Sequence, residues 1–314
     1  MKKNVAVIGC GYWGKNIIRN FYDVESLYGV ADVNSEVSKK FSDMYGVKNF
    51  SIDEAINHNS VDAIAICTPA ESHAEIAIKA MQSGKDVFVE KPLALNEIDT
   101  LRIKDAVDKT GKKLMVGHLL QYHPAFEKVL QIIETSLLGR VKKIFSERMS
   151  FGKIRKEEDV IWSFAPHDIS MIYRITKSQP TKVICNGTNI ISDNLYDEAN
   201  INLLFEDKNI NAQINVSWLH PIKRHIFTVI GTKGMIIFDD TKDWDKKVFF
   251  QEFLLDPKTG LVKKESKYLK IDMEEPLKRE CSYFIDYIND IKDSRTGVEE
   301  GIEVVSILRK ISSQ

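Results

Sequence analysis

The chain has 314 residues, which is enough for about two domains of ordinary size. It carries 44 Lys and Arg residues against 45 Asp and Glu residues, whereas proteins that coat nucleic acid carry a basic excess, so no nucleic-acid partner is predicted. Hydrophobic residues make up 43% of the chain, and no apolar run reaches the ~18–20 residues that cross a membrane, which indicates a globular protein without a membrane partner.

The N-terminal part of the chain alternates between short apolar runs and amphipathic stretches. The apolar runs, each predicted to form a strand, are Val5–Ile8, Leu27–Ala31, Ala63–Cys67, Asp86–Val89 and Leu114–Val116. The amphipathic stretches, each predicted to form a helix, span residues 14–21, 34–45, 70–83 and 96–110. Strands that are apolar throughout and joined by helices are typical of a parallel sheet covered on both faces. Residues 1–118 are therefore predicted to form a doubly wound α/β domain of the Rossmann type.

A glycine-rich turn joins the first strand to the first helix and fits the pattern G-x-G-x-x-G. The first glycine of this pattern permits a tight turn, the second lets the backbone approach a pyrophosphate, and the third lets the helix pack closely on the strand. The free N–H groups at the start of the helix favour the phosphate charge. The residues of this turn that are predicted to bind a dinucleotide are Gly9, Gly11, Tyr12, Trp13 and Gly14.

The second predicted strand ends on an acidic residue. Asp32 lies where a carboxylate can accept hydrogen bonds from both ribose hydroxyls of an adenosine, although a surface Asp beside a glycine turn is the alternative. Val33 and Asn34 follow, so no adjacent arginine cradles a 2′-phosphate, and the carboxylate would repel one. The predicted cofactor is therefore NAD rather than NADP.

The strand predicted over Asp86–Val89 is followed by Glu90-Lys91-Pro92. Ligands of open α/β sheets bind beyond the carboxyl ends of the strands, so Lys91 is expected to project toward the nicotinamide end of the cofactor. Pro92 restricts the backbone around Lys91 and could hold a cis bond. The alternative is a solvated Lys–Glu pair before a turn.

The pattern changes after about residue 119. A helix is predicted near residues 124–136, and strictly alternating apolar residues then predict strands with one wet face around 201–205 and 210–218. Two helices, near residues 276–292 and 299–312, close the chain and could pack back near the first domain. Residues 119–314 are therefore predicted to form an α+β domain with a mostly antiparallel open sheet.

A histidine is predicted at the start of a short helix in this second domain. Pro166 suits the first helical position, which places His167 in the first turn, where the helix dipole disfavours an imidazolium and lowers the pKa. A neutral imidazole can act as a general base, although a capping or core histidine is the alternative. Asp168 could orient His167 or could simply favour the helix N-terminus.

Four motifs stand in order along essentially the whole chain: Gly9 to Gly14, Thr68-Pro69 with His73-Ala74-Glu75, Glu90-Lys91-Pro92, and His167-Asp168. Together they resemble the glucose–fructose oxidoreductase / inositol dehydrogenase / MocA family. The resemblance implies hydride transfer between a nicotinamide and a sugar or polyol carbon, with Lys91 near the reacting hydroxyl and a cis Lys91–Pro92 bond. It also implies an open sheet that often mediates oligomer contacts, so a homodimer or homotetramer is expected.

The resemblance extends the predicted site beyond the glycine turn. The expected cofactor-binding residues outside that turn are Asp32, Thr68, Pro69, His73, Glu90 and Lys91. The expected substrate-binding residues are Lys91, Tyr122, Arg148, Ser163, His167 and Asp168. Many relatives carry Asp where this chain has Ser163, so the expected catalytic acid–base pair is Lys91 and His167 without a third carboxylate.

Several polar residues flank the predicted cleft without a settled role. His118, Gln121, Tyr122 and His123 follow the last strand of the first domain, and each of them, like Arg148 farther on, is either a cleft residue or an exposed or packing one. Lys153 and Arg155, with Arg148, could meet a diphosphate or could be solvated.

The expected reaction is NAD-dependent hydride transfer at a secondary hydroxyl or ketone of a sugar. Segments 116–124, 162–170 and 216–221 resemble family members that oxidise UDP-N-acetylglucosamine-type sugars at C3. The alternatives are an inositol or polyol dehydrogenase, a 3-ketosugar reductase and, in another class, a non-catalytic NAD-binding sensor.

The cysteines argue against a metal cluster. Cys10, Cys67, Cys185 and Cys281 lie far apart and none stands in C-x-x-C spacing, so no metal is expected. Cys10 and Cys67 end apolar runs and are read as packed residues. With no signal-peptide core at the N-terminus, unpaired thiols indicate a cytoplasmic protein.

Overall fold

The computed structural model describes residues 2–152, 154, 158–191, 193–256 and 258–313. Their contacts divide the chain into two compact units: a first unit of Met1–Tyr122 with Glu275–Ser306, and a second unit of His123–Glu274 with Ile307–Gln314. The sequence-based division differs from this one, because it ends the first domain at residue 118 and leaves 119–314 in the second.

The first unit holds a six-stranded sheet in the order β3-β2-β1-β4-β5-β6, and all neighbouring strands run parallel. Its strands are β1 (Val5–Ile8), β2 (Leu27–Ala31), β3 (Lys48–Phe50), β4 (Ala63–Ile66), β5 (Asp86–Glu90) and β6 (Leu114–Gly117). Its helices up to β6 are α1 (Gly14–Asp23), α2 (Ser35–Tyr45), α3 (Ile52–Asn57), α4 (His73–Gln82) and α5 (Glu97–Thr110). The predicted Rossmann topology is confirmed, while β3 and α3 escape the sequence analysis because both are short.

The later segment of the first unit covers the edge of this sheet. β6 is the edge strand, and Thr296 pairs with it, accepting from the Val116 N–H at 2.7 Å and donating its hydroxyl to the Val116 carbonyl at 2.7 Å. Helix α8 (Pro276–Ile288) places Phe284 in the same core cluster as Phe21 and Phe88. Edge pairing and apolar burial together explain why this segment belongs to the first unit.

The second unit holds an eight-stranded open sheet in the order β14-β13-β12-β11-β7-β10-β9-β8. Its strands are β7 (Val141–Phe151), β8 (Lys182–Thr188), β9 (Glu198–Phe205), β10 (Ile210–Ser217), β11 (Leu219–Gly231), β12 (Gly234–Asp239), β13 (Val248–Asp256) and β14 (Gly260–Tyr268). Only β7 and β10 pair in parallel among these described strands, so the predicted mostly antiparallel sheet is confirmed.

Helices cover one face of this sheet. α6 (Pro124–Glu134) packs against β12 and β13, and α7 (Val160–Thr176) packs against β7, β9 and β10. The alternating apolar residues of β9 and β10, such as Ile201 and Ile214, are fully buried, as their period of two predicts. The last helix, α9, spans Val298–Ser312. None of the described helices has the length and apolar character that a bilayer crossing requires.

Candidate active site

Three glycines shape the turn between β1 and α1. Gly9 has a φ of +97°, and a Cβ there would lie 2.7 Å from the Cys67 carbonyl. A Cβ on Gly14 would lie 1.9 Å from the Gly9 carbonyl oxygen, so only glycine lets α1 pack this closely. A Cβ on Gly11 would meet no described atom within 4 Å, which leaves open space beside the backbone. These are the three roles predicted for the glycines, and the space at Gly11 suits a pyrophosphate.

The N-terminus of α1 has no side-chain cap. Trp13 occupies the N-cap position and its side chain makes no capping hydrogen bond. Its indole N–H instead donates to Glu90 Oε1 at 2.6 Å. Tyr12, also predicted to face the cofactor, is 85% exposed. An uncapped helix N-terminus beside a glycine turn is a favourable anion site, so this part of the chain fits the diphosphate of NAD.

Asp32 is held against the glycine turn by the backbone. Its Oδ2 accepts from the Cys10 N–H at 2.7 Å and its Oδ1 accepts from the Asn34 N–H at 2.9 Å. Burial, and then the Asp32 carboxylate, raise the pKa of the Cys10 thiol to about 12, in keeping with a packed cysteine. The carboxylate is held just after β2 and against the glycine turn, where its charge would oppose a 2′-phosphate.

Cofactor preference is the first expected result. Wild-type protein should bind NADH at least about tenfold more tightly than NADPH, because one charge repulsion of ~1–2 kcal/mol corresponds to roughly that ratio. Asp32→Asn should narrow the preference mainly by strengthening NADPH binding, while the exposed control Asp23→Asn should leave it unchanged. Titration of protein fluorescence with each dinucleotide measures both affinities, and tighter NADPH binding by the wild type would refute the assignment.

Glu90 and Lys91 lie at the carboxyl end of β5. Glu90 is 8% exposed, and burial raises its pKa to about 7 against the lowering effects of the Trp13 hydrogen bond and the Lys91 charge. The neighbouring strand makes room for this carboxyl, since a Cβ on Gly117 would lie 3.2 Å from it. The Lys91–Pro92 peptide is cis, as the family resemblance implies. The glycine turn follows β1 and Lys91 follows β5, so both lie at the carboxyl ends of the parallel strands, together with Glu90.

His73 connects the segments that follow β4 and β5. Its Nδ1 lies 2.9 Å from the Pro92 carbonyl oxygen and its Nε2 lies 2.9 Å from the Thr68 carbonyl oxygen. The residue is 1% exposed, and burial lowers its pKa. Thr68 is tied in turn to Ser72, whose hydroxyl donates to Thr68 Oγ1 at 2.7 Å. Because both ring nitrogens face backbone carbonyls, the structure gives His73 a role in holding the Pro69 and Pro92 segments that border the site.

The second unit places His167 inside a helix, and the predicted helix start is wrong. α7 begins at Val160, where the Asp159 side chain caps it by accepting from the Trp162 N–H at 3.0 Å. Pro166 is therefore an interior residue and His167 is not in the first turn. The argument from the helix dipole does not apply to a residue so far from the helix end. The missed signal is Asp159 standing directly before the apolar run.

Asp168 and Arg148, both predicted to bind substrate, bind each other. The Asp168 carboxylate is fully buried and accepts from Arg148 Nε at 2.9 Å, from Arg148 Nη2 at 2.9 Å and from the Ser146 hydroxyl at 2.7 Å. Neither role considered for Asp168 includes this pairing, which fastens α7 to β7. The pairing occupies the Asp168 carboxylate and the Arg148 guanidinium beside His167, and the substrate role of the two residues stays a prediction.

The remaining predicted substrate residues lie in different surroundings. Tyr122 is 1% exposed in the core of the first unit, where its hydroxyl lies 2.8 Å from Thr296 Oγ1, and its contact with substrate stays a prediction. Ser163 is 2% exposed and lies one helical turn before His167 on α7, hence on the same side of the helix. Lys153 and Arg155 lie outside the described residues.

Each unit thus carries its own part of the predicted site. The first unit brings together the glycine turn, Asp32, Thr68, Glu90 and Lys91 at the carboxyl edge of a parallel sheet, where such sheets bind ligands. The second unit presents His167 and Ser163 on α7. The described residues contain no group of three or more His, Cys, Asp and Glu side chains able to hold a metal ion.

Two family models match the chain and agree with these units. Residues 3–118 match the oxidoreductase family with an NAD-binding Rossmann fold, and residues 126–237 match the GFO/IDH/MocA C-terminal domain. One relative is the UDP-N-acetylglucosamine 3-dehydrogenase of Acidithiobacillus ferrooxidans, 28% identical over 60% of this chain and 58% of the relative. Another is the myo-inositol 2-dehydrogenase of Thermotoga maritima, 24% identical over 76% of each chain.

Solved structures share the fold over the full length. UDP-N-acetylglucosamine 3-dehydrogenase GnnA from Acidithiobacillus ferrooxidans superposes with a TM-score of 0.87 at 20% identity, covering 100% of this chain and 97% of that one. GenD2 from gentamicin A biosynthesis, solved in complex with NAD, superposes with a TM-score of 0.82 at 20% identity, covering 99% and 93%. With the two matched family models and the glycine turn that fits the dinucleotide, the chain belongs to the GFO/IDH/MocA family and is an NAD-dependent dehydrogenase.

Proposed function

We propose that this dehydrogenase acts on a secondary hydroxyl, or the corresponding ketone, of a sugar, and that the sugar is a UDP-N-acetylglucosamine-type nucleotide sugar oxidised at C3. The observation that carries the proposal is the position of Lys91, at the carboxyl end of β5 on the same sheet edge as the dinucleotide turn. A cationic side chain at that edge suits an oxygen that becomes negative as its carbon is oxidised.

Lys91 and His167 divide the proton chemistry in this proposal. The Lys91 ammonium donates a hydrogen bond to the reacting oxygen and stabilises the developing alkoxide. The His167 imidazole takes the hydroxyl proton as a general base and returns it when the ketone is reduced. Bound NAD supplies the nicotinamide ring that exchanges a hydride with the substrate carbon. Both residues must therefore reach one substrate, and this convergence is part of the proposal.

Ser163 leaves the proposal with two side chains at the reacting oxygen, Lys91 and His167, and no carboxylate as a third. Its hydroxyl lies one turn before His167 on α7 and can hydrogen-bond a substrate, but it cannot supply a negative charge. The carboxylate nearest in sequence, that of Asp168, is already bound by Arg148 and Ser146. We therefore assign no carboxylate to the proton transfer.

The choice of substrate rests on the relatives. The similarity to UDP-N-acetylglucosamine 3-dehydrogenase points to the same substrate as the resemblance expected from segments 116–124, 162–170 and 216–221. The similarity to myo-inositol 2-dehydrogenase keeps a polyol as the second candidate, and a 3-ketosugar reductase would use the same groups in the opposite direction. Substrates change readily on a shared scaffold, so the test must compare these classes directly.

A substrate panel tests the proposal. Protein and NAD are incubated separately with UDP-N-acetylglucosamine, free N-acetylglucosamine and myo-inositol, and NADH absorbance is followed. We expect NADH only with the nucleotide sugar, and a product that gains one deuterium at C3 on reduction with borodeuteride. Absorbance with myo-inositol alone would replace the proposed substrate with a polyol. If no NADH forms with any of the three compounds, oxidation of NADH by the 3-keto nucleotide sugar would indicate a reductase.

A further inference from the structure

His118 lies near Lys91, just beyond the carboxyl ends of β5 and β6. Glu90 and Gly117 are register partners at the ends of the parallel strands β5 and β6, and Lys91 and His118 directly follow those two strand ends. Gly117 leaves room for the Glu90 carboxyl, which a Cβ at that position would approach to 3.2 Å. The two strand ends therefore place a lysine and a histidine side by side where parallel sheets bind ligands.

The His118 ring is buried with unmet hydrogen-bonding capacity. The residue is 1% exposed, and neither ring nitrogen has a hydrogen-bond partner among the described residues. The Glu300 carboxylate approaches Nδ1 to 3.7 Å, which is longer than a hydrogen bond, and accepts from Gln121 Nε2 at 3.2 Å. Buried polar groups in native proteins are normally satisfied, so an unsatisfied imidazole at a ligand-binding edge calls for an explanation.

Burial, with the Lys91 charge, keeps the ring neutral. Burial, and then the Lys91 charge, lower the pKa of His118 to about 3. The ionisable groups around the two residues are Glu90 on β5, His73 on α4 and Glu300 on α9. A neutral imidazole carries one N–H donor and one lone-pair acceptor. With Glu300 on the Nδ1 side, the N–H is favoured there and the lone pair is left on Nε2.

We propose that His118 is a positioning residue for Lys91: the Nε2 acceptor is unmet in the described part of the chain, the flexible Lys91 side chain can turn its ammonium to donate to it, and Glu300 faces the opposite side of the ring. This inference rests on the proposed role of Lys91. An ammonium has three donors, so a hydrogen bond to His118 takes up only one of them. A neutral ring orients Lys91 without placing a second positive charge beside it, which protects the charge that stabilises the alkoxide.

The test measures Lys91 itself, in protein without cofactor or substrate. Labelling of Lys91 by an amine-acylating reagent, followed by peptide mass spectrometry at a series of pH values, gives the pH at which the amine becomes reactive. His118→Phe keeps a ring but removes the acceptor, so the ammonium is less stabilised and the labelling midpoint should move to lower pH by about one unit. His118→Gln can restore an acceptor near the Nε2 position and should return the midpoint toward wild type.

Turnover gives the second readout. His118→Phe should lower kcat by about tenfold or more with little change in NADH affinity, and His118→Gln should recover part of the loss. His58→Phe is the matched control, because His58 lies in the same unit on the loop before β4, at the amino ends of the strands. Unfolding temperatures should match across the set, and if His118→Phe fails to fold, His118→Leu, which also removes the acceptor, takes its place in both measurements.

Two results would overturn the inference. A labelling midpoint in His118→Phe equal to wild type would leave His118 as a packing residue, and a midpoint at higher pH would mean that the ring acts as a cation. Failure of the proposed function looks different, because Lys91→Met would then keep its turnover whatever the labelling midpoint shows.

Discussion

Replacing Lys91 with methionine should lower kcat by about a hundredfold to a thousandfold while NADH affinity stays close to wild type. The magnitude is the typical cost of removing one donor to a developing oxyanion in a site shielded from water. Methionine keeps most of the length of the side chain, so the change removes the charge and the donor with little change in volume. NADH affinity should survive because the contacts to the dinucleotide are predicted to come mainly from the glycine turn and Asp32, which the structure holds without Lys91.

Steady-state kinetics and a fluorescence titration with NADH measure the two quantities separately. Lys112→Met is the matched control, because Lys112 precedes β6 and therefore lies at the amino ends of the strands, away from Lys91. We expect wild-type kinetics from the control. Turnover within a few-fold of wild type in Lys91→Met would remove Lys91 from the chemistry, whereas loss of both turnover and NADH binding would indicate that the substitution disturbs the cofactor site instead.

The sequence predicts the first sheet well because its strands are apolar on both faces. Such runs, bounded by glycine and polar residues, identify β1, β2, β4, β5 and β6 within one residue or so at each end. β3 fails this criterion, since Lys48-Asn49-Phe50 is short and two of its three residues are exposed at the sheet edge. The capping box of α3, Ser51 with Glu54, was available as a signal for the helix that follows.

Local signals also compete, and in α7 the wrong one is easily chosen. Proline is common at the first position of a helix, so Pro166 suggests a start there. The true start uses Asp159 as its cap and buries Val160 and Ile161, while the helix tolerates an interior proline. Burial of an apolar first turn outweighs the single backbone hydrogen bond that proline removes.

Side-chain partners are the part of the site that sequence cannot supply. Asp168 lies next to His167 in the chain, yet its carboxylate is taken by Arg148 and Ser146, which are 20 and 22 residues away on β7. The Trp13–Glu90 hydrogen bond joins residues 77 positions apart. Motifs therefore locate the residues of the site, but only the register of the sheet and the packing of α7 decide which of them face a ligand and which bind one another.

His167→Asn carries the second large effect, because it tests the second unit's share of the chemistry. Loss of a positioned general base typically costs about a hundredfold to ten-thousandfold in rate. Asparagine keeps a polar group of similar reach near Nδ1 but cannot take up a proton at neutral pH. We expect kcat for sugar oxidation to fall by this factor with unchanged NADH affinity, while His58→Asn, a control on the loop before β4, stays near wild type.

The direction of reaction sharpens this test. A residue that removes the proton during oxidation must supply it during ketone reduction, and an enzyme variant cannot alter the equilibrium between the two sugars. When kcat/KM is compared for the two directions, His167→Asn should therefore lower it for oxidation and for reduction by matching factors. The pH dependence of oxidation separates His167 from other titrating groups. If oxidation is still lost at low pH in His167→Asn, a group other than His167 must lose its negative or neutral form there. Glu90, whose pKa burial raises to about 7, is the group to test. If His167→Asn instead kept near-normal rates in both directions, Lys91 would be left without a proton-accepting partner, and the two-residue mechanism would have to be abandoned.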